Sequence, residues 1–149
     1  MLLRRDRAMI AVLIMLDVAF HAGRAGTVSA ADIAERAGLA RRGIEPLLQG
    51  LSRSGLLESV RGPRGGYRLG RPRRDIRLND IVETALCEDA TGEEGPTGAL
   101  FARVIEPTWR ELDDRLRASL RELTLDDLIR RAETCGLRRP LVEPISFSI

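Results

Sequence analysis

The chain has 149 residues, 44% of them apolar, with only three Phe, one Trp and one Tyr, two cysteines and a formal charge of +2. That length allows one domain or a small domain with an appendage. The core must be aliphatic, two cysteines make no disulfide framework, and a reduced, cytoplasmic setting is expected. The small net charge conceals an asymmetry. Residues 41–77 hold ten arginines against three carboxylates (+7), whereas residues 78–149 hold nine arginines against fifteen carboxylates (−6). A cationic module joined to an anionic one fits a nucleic-acid surface beside a protein-contacting or sensing one.

Leu2, Leu3, Arg4 and Arg5 lead into an apolar run, 8–16. The pattern resembles the charged and apolar parts of a signal peptide. Asp17 interrupts it, however, and the run is too short to cross a bilayer, so a buried first helix is expected. No long basic amphipathic helix is present that would lie on a membrane surface.

Ser29 followed by Asp32 resembles a capping box and predicts a helix over 30–37. Ala31, Ile33, Ala34 and Ala37 lie on or near its buried face, and Gly38 ends it. Ile44, Leu47, Leu48 and Leu51 predict a second helix, closed by Gly55. A small residue at Ala34, a turn glycine at Gly38 and an aliphatic lock at Ile44 are what a helix-turn-helix needs. Its second helix offers Arg41, Arg42 and Glu45 near the N-terminus, the part that enters the major groove in such modules. Arginine can pair bidentately with guanine, and glutamate can accept from cytosine. Pro46 is at odds with this helix, because proline removes a hydrogen bond and clashes with the preceding turn. The expectation is a helix that starts late, near Arg42 or Gly43, or one that is kinked.

Two short apolar runs, 56–60 and 67–69, flank Arg61-Gly62-Pro63-Arg64-Gly65-Gly66, which reads as a β-hairpin with a tight tip. Gly65 and Gly66 permit close backbone approach, and Arg61, Arg64 and Arg68 make the hairpin cationic. Such a hairpin suits a DNA groove or phosphate backbone. A helix-turn-helix followed at once by a basic hairpin specifies a winged helix, so the fold class is mainly α with a small β-hairpin wing.

The second half begins with a short amphipathic helix over 78–86 and a Gly/Glu/Thr/Pro loop over 87–98. A helix resumes near Thr97, with Pro107 at the first position of a longer one. There Trp109, Leu112, Leu116, Leu120 and Leu123 recur at three- and four-residue spacing on a rod of roughly 25 Å. Either this chain or another must bury that stripe, and an antiparallel pair of long helices in a homodimer is favoured over an intrachain core. Leu125, Leu128 and Ile129 form a last short helix, opened by Thr124 with Asp127. The division expected is a winged helix-turn-helix domain over 1–77, a dimerisation and effector region over 78–137 with its long helix at about 107–123, and a tail over 138–149.

These residues resemble the Rrf2 family of bacterial transcription regulators over roughly 8–132. The most specific piece is Val60-Arg61-Gly62-Pro63-Arg64-Gly65-Gly66-Tyr67-Arg68-Leu69, close to the family's wing motif. Leu16-Asp17-Val18-Ala19, Ala31-Asp32-Ile33-Ala34-Glu35 and the segment from Trp109 to Leu116 also match. The resemblance implies a homodimeric winged helix with its long helices crossing at the dimer axis, a recognition helix carried over onto 41–45 and a wing onto 61–67. Cluster-binding members of the family place three cysteines in the loop before the dimer helix. Here that loop holds Cys87 alone, the stretch into Trp109 carries Arg103 and Glu106 with no Cys or His, and Cys135 lies beyond the long helix. An iron–sulfur cluster usually takes four protein ligands, so no cofactor is expected. Glu88 and Asp89 disfavour a thiolate at Cys87, which is expected to be inert rather than a redox sensor. His21 is read as a helix-end residue and not a metal ligand.

The leading function is a sequence-specific, double-stranded-DNA-binding regulator, a homodimeric repressor acting on a palindromic operator. Arg41, Arg42 and Glu45 would read bases, Arg61 and Arg64 would take the minor groove or phosphates, with Gly65 and Gly66 shaping the wing, and Ser29 and Tyr67 would hold backbone phosphates. The alternative is a winged-helix protein–protein adaptor that no longer reads DNA. No nucleophile–base–acid set, phosphate loop or metal spacing supports an enzyme, and no residue identifies a small effector.

Overall fold

Helix α1 (Arg7–His21) buries Ala8, Ala11, Ile14, Met15 and Val18 along one face, so the apolar N-terminal run is core. The structure is a computed structural model and describes residues 7–23, 26–87 and 95–140. Helix α1 is the hub of the fold, packing against the helix and hairpin elements that follow it. Its last turn is closed by His21 Nδ1 at 3.0 Å from the Asp17 carbonyl. The Asp17 carboxylate in turn accepts from Arg36 Nε and Nη2 at 2.9 and 2.8 Å, which orients the next helix on α1.

That helix, α2 (Ala30–Ala37), has the expected bounds. Ser29 Oγ caps it by accepting from the Asp32 N–H at 3.1 Å. Gly38 ends it with φ +67°, and the Gly38 and Leu39 N–H groups return to the Glu35 and Ala34 carbonyls, the paired bonds of a Schellman turn. Two turns are too few to be stable alone; burial of Ile33 and Ala34 holds them. Helix α3 (Arg41–Arg53) buries Ile44, Leu47, Leu48, Gly50 and Leu51. Strands β1 (Leu57–Val60) and β2 (Gly66–Leu69) pair antiparallel, Leu57 opposite Leu69 and Val60 opposite Gly66. The second strand therefore begins one residue earlier than the apolar pattern alone indicates.

A single 3₁₀ turn (Arg73–Asp75) leads into α4 (Leu78–Cys87). Leu78, Ile81 and Ala85 belong to the same buried cluster as Ile14, Ile44 and Leu56, and so does Leu125. One core thus runs from the helix-turn-helix across residue 77. A π-helical turn (Phe101–Ile105) precedes α5 (Glu106–Glu122), so Pro107 is the second residue of α5 in a helical path that starts earlier. Proline offers no N–H, and its ring crowds the carbonyl four residues back; the wider π turn gives that carbonyl room. Helix α6 (Leu125–Thr134) opens with the Thr124–Asp127 capping box. The Thr124 backbone and hydroxyl donors hold the Asp127 carboxyl below the usual carboxylate range.

Helix α5 is moored at one end only. The Leu78 N–H donates to Leu123 O at 2.9 Å and the Leu125 N–H to Ile76 O at 3.0 Å, and Leu120 and Leu123 pack against the core. Towards the N-terminus its apolar residues emerge into solvent. Among the described residues no helix is long and apolar enough to cross a membrane.

Candidate nucleic-acid interface

Helix α3 buries one side and offers the other. Arg42, Pro46, Gln49 and Arg53 are exposed, and at 100° per residue they fall on one outward stripe. Arg41 and Arg42 stand in the first turn as expected. Arg41 Nε lies 3.3 Å from Glu45 Oε1, so two expected base readers hold each other in the free protein. An exposed i,i+4 pair is worth only roughly 0.3–0.5 kcal/mol, which leaves both side chains available to bases. The helix starts at Arg41 and not late, which corrects one expectation about Pro46. Its opening is tightened, with the Gly43 N–H donating to Ala40 O, three residues back, at 2.9 Å. Pro46 stands in the second turn with its ring exposed, and it offers no N–H to the Arg42 carbonyl four residues back. Gln49 and Arg53 escaped the sequence reading, although counting three and four residues on from Arg42 and Pro46 would have found them.

The wing is bonded directly to the start of α2. Val28 and Tyr67 exchange both backbone bonds, at 2.9 and 2.8 Å, and Thr27 Oγ1 donates to the Arg64 carbonyl at 2.8 Å. This brings Ser29, Gly66 and Tyr67 together beside the start of α2. A Cβ built on Gly66 would stand 2.5 Å from Val28 O and 2.7 Å from Val28 C, and one on Gly65 would stand 2.5 Å from Val60 O. Both glycines are therefore required by neighbouring backbone. Gly66→Ala is expected to destabilise the fold by about 1–3 kcal/mol, the usual cost of overpacking, read as a lower urea midpoint. An unchanged midpoint would mean the Val28 backbone yields freely.

Arg61 and Arg64 are exposed at the hairpin tip, and neither they nor Arg42 has an ion-pair partner among the described residues. Arg68 is spent differently: its Nε and Nη2 donate to Glu58 across the strands, both at 2.9 Å, which lowers the Glu58 carboxyl below its ordinary value. The hairpin tip therefore presents free guanidiniums while its stem is charge-paired.

Of the long-helix residues, Trp109 and Leu112 are 43% and 39% exposed. Leu116 is half-buried, and Leu120 and Leu123 are taken up by the chain's own core. Leu100, Val104 and Ile105, at 80%, 53% and 45% exposure, extend the open stripe towards the π turn; the sequence reading did not include them. Cys87 ends α4 and Cys135 follows α6, both exposed. Glu88 and Asp89 lie outside the described residues.

Residues 5–131 match the profile of a family described as "Rrf2: Iron-dependent Transcriptional regulator". The chain is 42% identical over 129 residues to the HTH-type transcriptional regulator IscR of Pectobacterium carotovorum subsp. carotovorum, covering 83% of this chain and 76% of that one. It is 39% identical over 127 residues to IscR of Escherichia coli O1:K1, covering 83% and 77%. Among solved structures it resembles T. potens IscR with a TM-score of 0.71 and 32% identity over 91% of each chain. It also resembles CymR (YrzC), the global cysteine regulator of B. subtilis, with a TM-score of 0.66 and 28% identity over 86% of this chain and 96% of that one. The donor set here does not fit a cysteine-ligated iron–sulfur cluster. The whole sequence holds two cysteines, they end different helices, and among the described residues no three His, Cys, Asp or Glu side chains converge.

Proposed function

The chain belongs to the Rrf2 family of transcriptional regulators, DNA-binding proteins and not enzymes, and on that premise we propose a cytoplasmic homodimeric repressor that occupies a palindromic operator and blocks a promoter sterically. The observation that carries this reading is the union of α3 and the wing into one cationic surface. Val28 and Tyr67 join the wing to the segment that opens α2, α3 packs on both α2 and β1, and Arg42, Arg61 and Arg64 stand exposed without carboxylate partners among the described residues. Arg41, Arg42 and Glu45 would meet base edges in the major groove, with Arg61 and Arg64 on the minor groove or phosphates and Ser29 and Tyr67 on the backbone. The exposed stripe from Leu100 to Leu112 supports pairing with a second copy. Two α3 helices related by a two-fold axis would then reach half-sites about 34–36 Å apart. No resident cluster is part of this proposal, because two cysteines per chain leave the ligand set short.

The test is titration of the chain's own upstream DNA and of random DNA across a salt series. A large affinity gap that persists at physiological salt is expected, with a two-fold footprint. Equal, steeply salt-dependent binding to both would favour the adaptor reading. Arg42→Ala is expected to cost about 1–3 kcal/mol on the operator and to relax one base position. Arg64→Ala should weaken all sequences alike and lower the salt slope by about 1. Uniform weakening by Arg42→Ala would move that residue to the phosphate-contacting group.

A further inference from the structure

Apart from α3 and the wing tip, the last turn of α1, the chain leaving β2 and the start of α6 enclose a cleft of about 850 Å³. That volume is within the range of roughly 300–1,000 Å³ usual for small-molecule sites. Among the described residues six basic side chains line it: His21, Arg68, Arg71, Arg73, Arg74 and Arg139. The single carboxylate in the lining among the described residues, Asp126, is already matched twice, by Arg73 Nε at 2.6 Å and by Arg130 Nη2 at 3.0 Å.

The remaining guanidiniums differ in how fully they are engaged. Arg68 is held by Glu58. Arg139 reaches Glu133 through Nη2 at 3.4 Å, while its Nε is buried without an acceptor. Among the described residues Arg74 has only its neighbour Asp75 at 4.0 Å, both side chains well exposed. Arg71 has no ion pair among the described residues. A solvated charge run would not account for the rest of the lining, because Phe20 and Leu69 supply an apolar wall. A guanidinium fork matches the oxygens of a carboxylate or phosphate, and a buried donor without an acceptor is uncommon in a folded protein.

We propose that this cleft binds a small anionic molecule, a carboxylate or phosphate monoester on an apolar or aromatic body. Arg71 and Arg74 take the anion, and the body rests on Phe20 and Leu69. The cleft joins the stem of the wing to α6 through the Arg73–Asp126 pair, so its occupant touches both halves of the chain. Binding here is independent of whether α3 reads an operator.

The test uses the full chain without DNA and phenyl phosphate as the probe, measured by calorimetric titration. Inorganic phosphate and benzyl alcohol carry the anion and the aromatic body separately. Phenyl phosphate is expected to bind at least about tenfold more tightly than inorganic phosphate, a gap of roughly 1.4 kcal/mol, with benzyl alcohol weaker still. Arg71→Gln and Arg74→Gln should each weaken phenyl phosphate by about tenfold at an unchanged melting temperature, since both side chains are exposed. Arg110→Gln, on α5 and outside the cleft, should leave binding as it was. Equal affinity for inorganic and phenyl phosphate would overturn the proposal in favour of a plain cationic surface. So would indifference to both cleft substitutions, or an equal loss with Arg110→Gln.

Discussion

Replacing Trp109 and Leu112 together by glutamate is expected to turn the proposed homodimer into a monomer and to lower operator affinity by about 100-fold or more. Both side chains belong to a stripe that the chain itself leaves open, continuing to Leu100, Val104 and Ile105. In a dimer that stripe is the apolar surface removed from water, and a Trp is the largest single contributor such a surface can have. Glutamates there would bring like charges together across the two-fold axis without a partner. The loss on DNA follows from geometry. With one recognition helix tethered to the other, binding of the second half-site is intramolecular, an advantage of about 10²–10⁴ that a monomer forfeits. The monomer should stay folded, because Leu120, Leu123 and the backbone bonds at Leu78 and Leu125 moor α5 from its other end. Sedimentation and circular dichroism on the same sample separate these outcomes: a folded monomer supports the interface, and a folded dimer would place it elsewhere.

Adjacent positions on α3 provide the second large effect. Leu48 is fully buried and Gln49 is exposed, one step of 100° apart on the helix. Leu48→Ala is expected to cost about 2–5 kcal/mol through lost burial and the cavity left behind, against a total stability of roughly 5–15 kcal/mol. Its melting temperature should fall by roughly 10 °C, at about 2–4 °C per kcal/mol for a chain of this size. Gln49→Ala should leave stability within about 0.5 kcal/mol. On the operator it should lose about 1–3 kcal/mol, as removal of a bidentate adenine contact would, with no loss on random DNA. The reverse pattern, a stable Leu48 variant and an unstable Gln49 variant, would mean that α3 presents a different face.

What could be read before the structure was local in origin. The bounds of α2, its Ser29 cap, the Gly38 turn, the Thr124–Asp127 box and the hairpin around Arg61 and Arg64 all depend on residues within a few positions of one another. The features that join these elements are not local. Arg36 reaches Asp17 across 19 residues and Thr27 reaches the Arg64 carbonyl across 37, and nothing in either neighbourhood announces its distant partner. Pro46 shows the same division. Of the late start and the kink that proline chemistry allowed, the late start is overturned: the helix begins at Arg41, with its first turn tightened at Gly43.

The long-helix stripe is the sharpest case. Its spacing from Trp109 to Leu123 determined that one face must leave water, because apolar periodicity is a property of the chain itself. Which part this chain covers and which it leaves open was decided by tertiary structure alone. The backbone bonds linking residues 76–78 to 123–125 fix where α5 lies on the core. They bring Leu120 and Leu123 into contact with it while Trp109 and Leu112 remain exposed. The hydrophobic effect counts area removed from water without regard to which chain removes it, so periodicity specifies the face and only packing specifies its owner.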